Sequence, residues 1–161
     1  MVSPVDRALF GYFAWQLAVE RAVAESGLPW TNLRATQFYD GFILFMQQAI
    51  VRLLVIPVPA GFRFQPVETE EVAVRLAELA LSAPSGQVPD VAGPTVYEAR
   101  ELVRSYLETV GKRRPVVTVR IPGGAAAAIR AGANLAPDRA VGRRTWEEFV
   151  SQLAGELAVA G

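Results

Sequence analysis

Between Gly27 and Asp40 the chain runs GLPWTNLRATQFYD. A long helical pattern stops at Gly27, an extended run spans Trp30 to Ala35, and a second helical pattern opens near Asp40. A helix stop, a strand and a helix start packed this closely constrain the fold more than any other feature. Such a strand belongs inside a sheet. It delivers the residues that follow, Thr36 and Gln37, to the sheet's carboxyl edge, where open α/β sheets bind their ligands. The expectation is one α/β or α+β domain.

The flanking patterns fit that frame. Ser3, Pro4 and Asp6 read as a helix start, with a capping box closed by Asp6, and the helix runs to about Ser26. Leu9, Phe10, Phe13, Trp15 and Leu17 make its first half apolar nearly all round, which predicts burial there. Tyr12, Gln16 and Glu20 recur every four residues and share one polar face. After the helix that opens near Asp40, Leu53 to Val58 and Phe62 to Val67 read as extended segments. Glu68 to Ala83 has helical period, with Val72, Leu76, Leu79 and Ala83 as its buried stripe. A weak strand follows at Val88 to Val91. Thr95 and Glu98 suggest a capping box for a helix that buries Ala99, Leu102, Val103, Tyr106 and Val110 and stops at Gly111. Pro115 to Ile121 alternates as a strand, Gly123 to Ala131 is an alanine-rich helix, and Thr145 with Glu148 caps a last helix. No repeat or linker divides the chain, so residues 1–161 form one domain.

Composition excludes several chemistries. The sequence has no Cys and no His, so a thiolate nucleophile, a Ser-His-Asp triad, a disulfide framework and an ordinary zinc site are all ruled out. No acidic cluster suggests an oxygen-only metal site, and no metal is expected. Sixteen basic residues balance sixteen acidic ones, so neither nucleic acid nor an anionic membrane is an expected partner. The apolar run Phe42 to Ala60 is broken by Gln47, Gln48, Arg52, Pro57 and Pro59, and reads as a buried helix plus strand rather than a membrane span. No signal peptide is visible, and the expected location is the cytoplasm.

Tyr, Lys, Asp and Glu remain as acid/base candidates. Tyr12 and Gln16 stand one helical turn apart. A lysine at the second position would lower the phenol's pKa, whereas glutamine can only hydrogen-bond, and an unassisted phenol titrates near 10. Arg34, at the strand's end, can grip a carboxylate or phosphate, or pair with a nearby acid. Lys112-Arg113-Arg114 and Arg143-Arg144 read as solvated faces, the former suited to a helix C-terminus. The glycine pattern of a dinucleotide-binding turn, G-x-G-x-x-G, occurs nowhere.

The run GYFAWQLAVERAVAESGLPWTNLRATQFYD resembles the NmrA-like, atypical branch of the short-chain dehydrogenase/reductase superfamily. So do Pro57 to Val67, Glu71-Val72-Ala73, Asp90 to Pro94 and Gly142 to Phe149. The resemblance covers that family's C-terminal part. It implies an α/β fold: a partial Rossmann-like sheet with flanking helices and a small α+β substrate-side subdomain, without the N-terminal dinucleotide-binding half. It also implies NADP or NAD as cofactor and a small carbonyl or quinone-like molecule as substrate. Tyr12 and Gln16 would be the catalytic positions, Gln16 standing where the family has lysine. Arg34, Thr36, Gln37 and Phe38 would lie at the nicotinamide, and the helix after Asp40 would line the substrate pocket. Asn32 replaces an aliphatic strand residue, and Tyr39 a common histidine. An alternative is a non-catalytic ligand-binding or redox-sensing module. In either case the open sheet edge predicts self-association or a partner that covers it.

Overall fold

The computed structural model describes residues 4–159, with side chains from 14 to 156. The elements are mixed α/β. Helix α1 (Pro4–Ala24) leads through Gly27, at φ 73°, into β1 (Thr31–Asn32). Then follow α2 (Tyr39–Arg52), β2 (Ile56–Pro59), β3 (Arg63–Phe64), α3 (Thr69–Ala80), β4 (Gly86–Gln87), β5 (Tyr97–Glu98), α4 (Ala99–Thr109), β6 (Val116–Val119), α5 (Gly124–Arg130), a 3-10 turn at Pro137–Arg139 and α6 (Trp146–Val159). The expected cap at Ser3 lies outside the described residues.

The strands pair as three two-stranded sheets: β1 with β4 and β2 with β6, both parallel, and β3 with β5, antiparallel. Backbone bonds extend the first pair well past its formal ends. Gly86 N–H donates to Trp30 O at 2.9 Å, Val91 N–H to Arg34 O at 2.8 Å, and Thr36 N–H to Val91 O at 3.0 Å. The extended run thus covers the expected Trp30 to Ala35. In β2, Ile56 N–H donates to Pro115 O and Ala60 N–H to Val119 O. The even positions therefore face β6, and Pro57 and Pro59 fall on the outer edge, where a missing N–H costs no ladder bond.

The main core lies between α2, α4, α6 and β2. It is built on Tyr39, Met46, Ile56, Leu102, Tyr106, Trp146 and Val150. A smaller core joins Val67, Val72 and Val91 beneath β1. Among the described residues no helix is long and apolar enough to cross a membrane.

Three local expectations fail for physical reasons. Trp15 of α1 is 64% exposed and Leu17 is exposed too, because α1 meets α5 on one side and is not enclosed. Of the α3 stripe, Val72 is buried but Leu76 is 49% exposed; a two-stranded sheet is too narrow to cover the whole stripe. Thr95 does not cap α4, since β5 holds residues 97 and 98 extended. The capping box sits later: Glu98 is the cap, and its N–H donates to the Glu101 carboxylate at 2.7 Å.

Candidate functional site

The carboxyl end of β1 is a crossing of three irregular segments. Tyr39 N–H donates to Val67 O, and Val67 N–H to Gln37 O at 2.8 Å. Thr36 Oγ1 donates to Gln65 O at 2.5 Å. The Gln37 side chain accepts from Gln65 N–H at 3.3 Å and donates to Asn134 O at 3.3 Å. Gln65, only 1% exposed, completes the junction. Its Nε2 donates to Gly93 O at 2.9 Å and its Oε1 accepts from Ala136 N–H at 2.9 Å. Buried backbone groups with no ladder partner must be satisfied some other way, and here one side-chain amide does it. Sequence reasoning passed over Gln65; its signal was an amide between Phe64 and Pro66 in an otherwise apolar run.

Thr36 and Gln37, expected at a cofactor, therefore brace the loop with their side chains. Phe38 is partly exposed and precedes α2. Arg34 takes the structural role open to it. Its Nε donates to Glu20 Oε1 at 2.9 Å and its Nη2 to Glu20 Oε2, a bidentate grip between α1 and the strand end. Asn32 is satisfied across the sheet, with Nδ2 donating to Gln87 Oε1 at 2.8 Å. The polar replacement in the strand thus has a matching polar partner.

The hydrogen bond from Arg34 holds the Glu20 carboxyl below the usual carboxylate range. A depressed folded-state pKa adds stability above the unfolded carboxylate value, about 4.3, and loses it as pH falls through the folded value. The pair is partly exposed, at 23% for Glu20 and 49% for Arg34, so its worth is about 1 kcal/mol or less. Glu20→Gln should melt slightly below the parent at neutral pH, with the gap closing on acidification below about pH 4. Thermal melts across that range check it; a gap that does not change with pH would mean the pair adds no stability.

The tyrosines divide clearly. The Tyr39 hydroxyl donates to Arg144 O at 2.6 Å, and that of Tyr97 to the Glu147 carboxylate at 2.7 Å. Burial pushes the phenols of Tyr39, Tyr97 and Tyr106 up, away from the range that suits acid/base work near neutrality. The sequence has four tyrosines, which leaves Tyr12. Its side chain lies outside the described residues. Gln16 is exposed on α1, one turn before Glu20. The Glu20–Arg34 pair turns that face of the helix toward the loop.

Two apolar surfaces flank the crossing. Helix α2 buries Tyr39, Ile43, Met46 and Ala49 and leaves Leu44, Phe45 and Val51 exposed. A groove of about 310 Å³ runs between β1 and α3, lined by Trp30, Leu33, Leu76 and Leu79 among others. It accounts for the uncovered end of the α3 stripe. Among the described residues no three His, Cys, Asp or Glu side chains group to hold a metal ion.

No family model matches the sequence, and no curated protein matches it. Solved structures do. A dTDP-4-dehydrorhamnose reductase from Bacillus anthracis, in complex with NADP, aligns over 90% of this chain and 54% of its own, at 16% identity and TM-score 0.63. A UDP-glucose 4-epimerase from Thermus thermophilus, in complex with NAD, aligns over 92% and 52% at 17% identity and TM-score 0.59. A dTDP-glucose 4,6-dehydratase from Bacillus anthracis, also with NAD, aligns over 91% and 50% at 13% identity and TM-score 0.57. The chain spans about half the length of these structures. At such identities the likeness shows the fold, which is a Rossmann-like α/β arrangement.

Proposed function

We propose that this chain is the substrate-side part of an NAD(P)-dependent oxidoreductase of the NmrA-like type, acting on a small carbonyl or quinone-like molecule. One observation carries the reading. Structures solved with NAD or NADP share its fold along nearly all of its length, and the loop at the end of β1 is the place where such sheets bind ligands. Arg34, Thr36, Gln37 and Phe38 make a braced wall at the nicotinamide end. A bound dinucleotide would supply or accept a hydride there. Tyr12 is the acid/base candidate, with Gln16 as a hydrogen-bonding neighbour. The side chains of Arg34, Thr36 and Gln37 are engaged within the chain, so they would shape such a wall rather than bind through free polar groups. The sequence does not fit a pyrophosphate cradle, since no glycine-rich turn occurs in it.

Melting the protein with NADPH and with NADH tests this. At a hundred times its dissociation constant a ligand adds about 2.7 kcal/mol, a rise of roughly 5–10 °C for a domain of this size. No shift with either dinucleotide would overturn the enzyme reading.

A second reading, a non-catalytic ligand-binding or redox-sensing module, is favoured by two features: the guanidinium of Arg34 is already held by Glu20, and Gln16 brings no charge to Tyr12. Trp15, Leu17, Val19 and Val23 on α1 expose apolar surface, as does the outer face of α2. We propose that self-association or a partner covers it. Sedimentation during the same titrations would weigh against this if it gave a monodisperse monomer that melts cooperatively.

A further inference from the structure

The end of α4 and the turn into β6 border a shallow, open groove of about 480 Å³. Arg104, Lys112, Arg113 and Arg114 line it, with Glu108 as the opposing charge and the buried Leu107 beside them. The ordinary explanation for cations here is that they complement a helix C-terminus. The backbone already does that work. Lys112 N–H donates to Leu107 O at 2.9 Å and Gly111 N–H to Glu108 O at 3.1 Å, with Gly111 at φ 63°. This is a complete Schellman stop, and it satisfies the carbonyls of Leu107 and Glu108 without any of the cationic side chains.

The four cationic side chains are therefore left over. Among the described residues the ion pairs are Arg34–Glu20, Arg75–Glu78 and Arg144–Glu68, and none of the four takes part in one. Arg114 Nε is buried and has no hydrogen-bond acceptor. A buried donor on a charged group is costly to leave unmade, and its guanidinium fork suits a tetrahedral oxyanion. The chain as a whole carries equal numbers of acidic and basic residues. The cluster of cations at this groove therefore does not reflect a net basic chain. A nucleic-acid surface would be extended and would interleave aromatics, and no aromatic lines this groove.

We propose that this groove binds a small phosphorylated anion, a phosphate monoester or diphosphate group. Arg114 anchors it, and Arg104, Lys112 and Arg113 supply the surrounding charge. The elements that build the groove are not those that carry the β1 loop, so the proposal stands apart from the dinucleotide reading.

The test is calorimetric titration of the full chain with inorganic pyrophosphate and with inorganic phosphate at low salt, paired with thermal melts. Saturable one-to-one binding is expected, with pyrophosphate the tighter ligand. The melting temperature should rise roughly 5–10 °C at a hundredfold excess over the dissociation constant. Arg114→Met should weaken binding tenfold or more. Arg113→Ala and Lys112→Ala change exposed side chains, keep the fold, and should each weaken it several-fold with a shallower salt dependence. Their response to NADPH should match the parent's, which separates this site from the dinucleotide. No saturable heat with either anion, unchanged affinity in Arg113→Ala and Lys112→Ala, or tighter binding of single-stranded RNA than of pyrophosphate would each overturn the proposal.

Discussion

Gly93→Ala is expected to abolish stable folding. A Cβ on Gly93 would lie 1.7 Å from the carbonyl oxygen of Pro66 and 2.6 Å from its carbonyl carbon. Both atoms are backbone, so no rotamer change relieves the clash. The segment on either side is pinned as well. Gln65 Nε2 donates to Gly93 O, Ala92 N–H donates to Arg139 O, and Gly142 N–H donates to Ala92 O. Separating the two backbones would break that junction and carry the β1 loop with it, because Thr36 and Gln37 hold the same Gln65. The cost should exceed about 4 kcal/mol, a large share of a typical domain's stability. Gly41→Ala is the control. Gly41 lies in the first turn of α2 with nothing near its would-be Cβ, so that change should be neutral or stabilise by up to about 0.5 kcal/mol. Urea denaturation of both variants checks the pair. A Gly93→Ala protein that unfolds close to the parent's midpoint would show that the crossing is looser than these distances imply.

Trp146→Ala should destabilise by about 3–5 kcal/mol and lower the melting temperature by roughly 10 °C. Trp146 is 0% exposed and is among the largest fully buried side chains. Its ring lies 5.7 Å from that of Tyr39 and 6.0 Å from that of Phe149, centroid to centroid. It therefore joins the start of α6 to the start of α2, and its removal leaves a cavity that the surrounding rings fill only in part. Trp146→Phe should cost less, about 1–2 kcal/mol. It keeps an aromatic body and removes the indole Nε1, a buried donor with no partner. Calorimetric melts of the two variants should therefore rank the alanine form well below the phenylalanine form. Equal losses would mean that the cost lies in the indole edge rather than in the cavity.

Much of the local architecture was legible in the residues. Gly111 ends α4, and Thr145 and Glu148 cap α6 with the Glu148 carboxylate accepting from Thr145 N–H at 2.8 Å, whereas α1 ends at Ala24, before Gly27, with Ser26 closing its last turn on Val23 O. Each of these is a short-range rule, in which one side chain or one glycine satisfies or releases backbone within a turn. The candidate loop was legible for the same reason, since Pro29 before it and Asp40 after it mark its limits. The role of its side chains was not. Whether Arg34 meets Glu20 or a ligand depends on how α1 returns over β1. Whether Thr36 and Gln37 face outward depends on where Gln65 sits, 29 and 28 positions further along. The α3 stripe misled for a related reason. Its period was right, but the number of strands available to cover it is a property of the assembled sheet.

Most of the helices, several of their stops and caps, and the absence of thiol and imidazole side chains follow from the chain read residue by residue, because they depend on neighbours within a few positions; strand β5, which moves the cap of α4 from Thr95 to Glu98, does not. Which strands pair, which polar groups are used up in bracing the β1 loop, and which cations are left without partners at the end of α4 were decided only in three dimensions. Hydrogen bonds and ion pairs act over a few ångströms of space, and the groups they join here lie tens of residues apart in sequence.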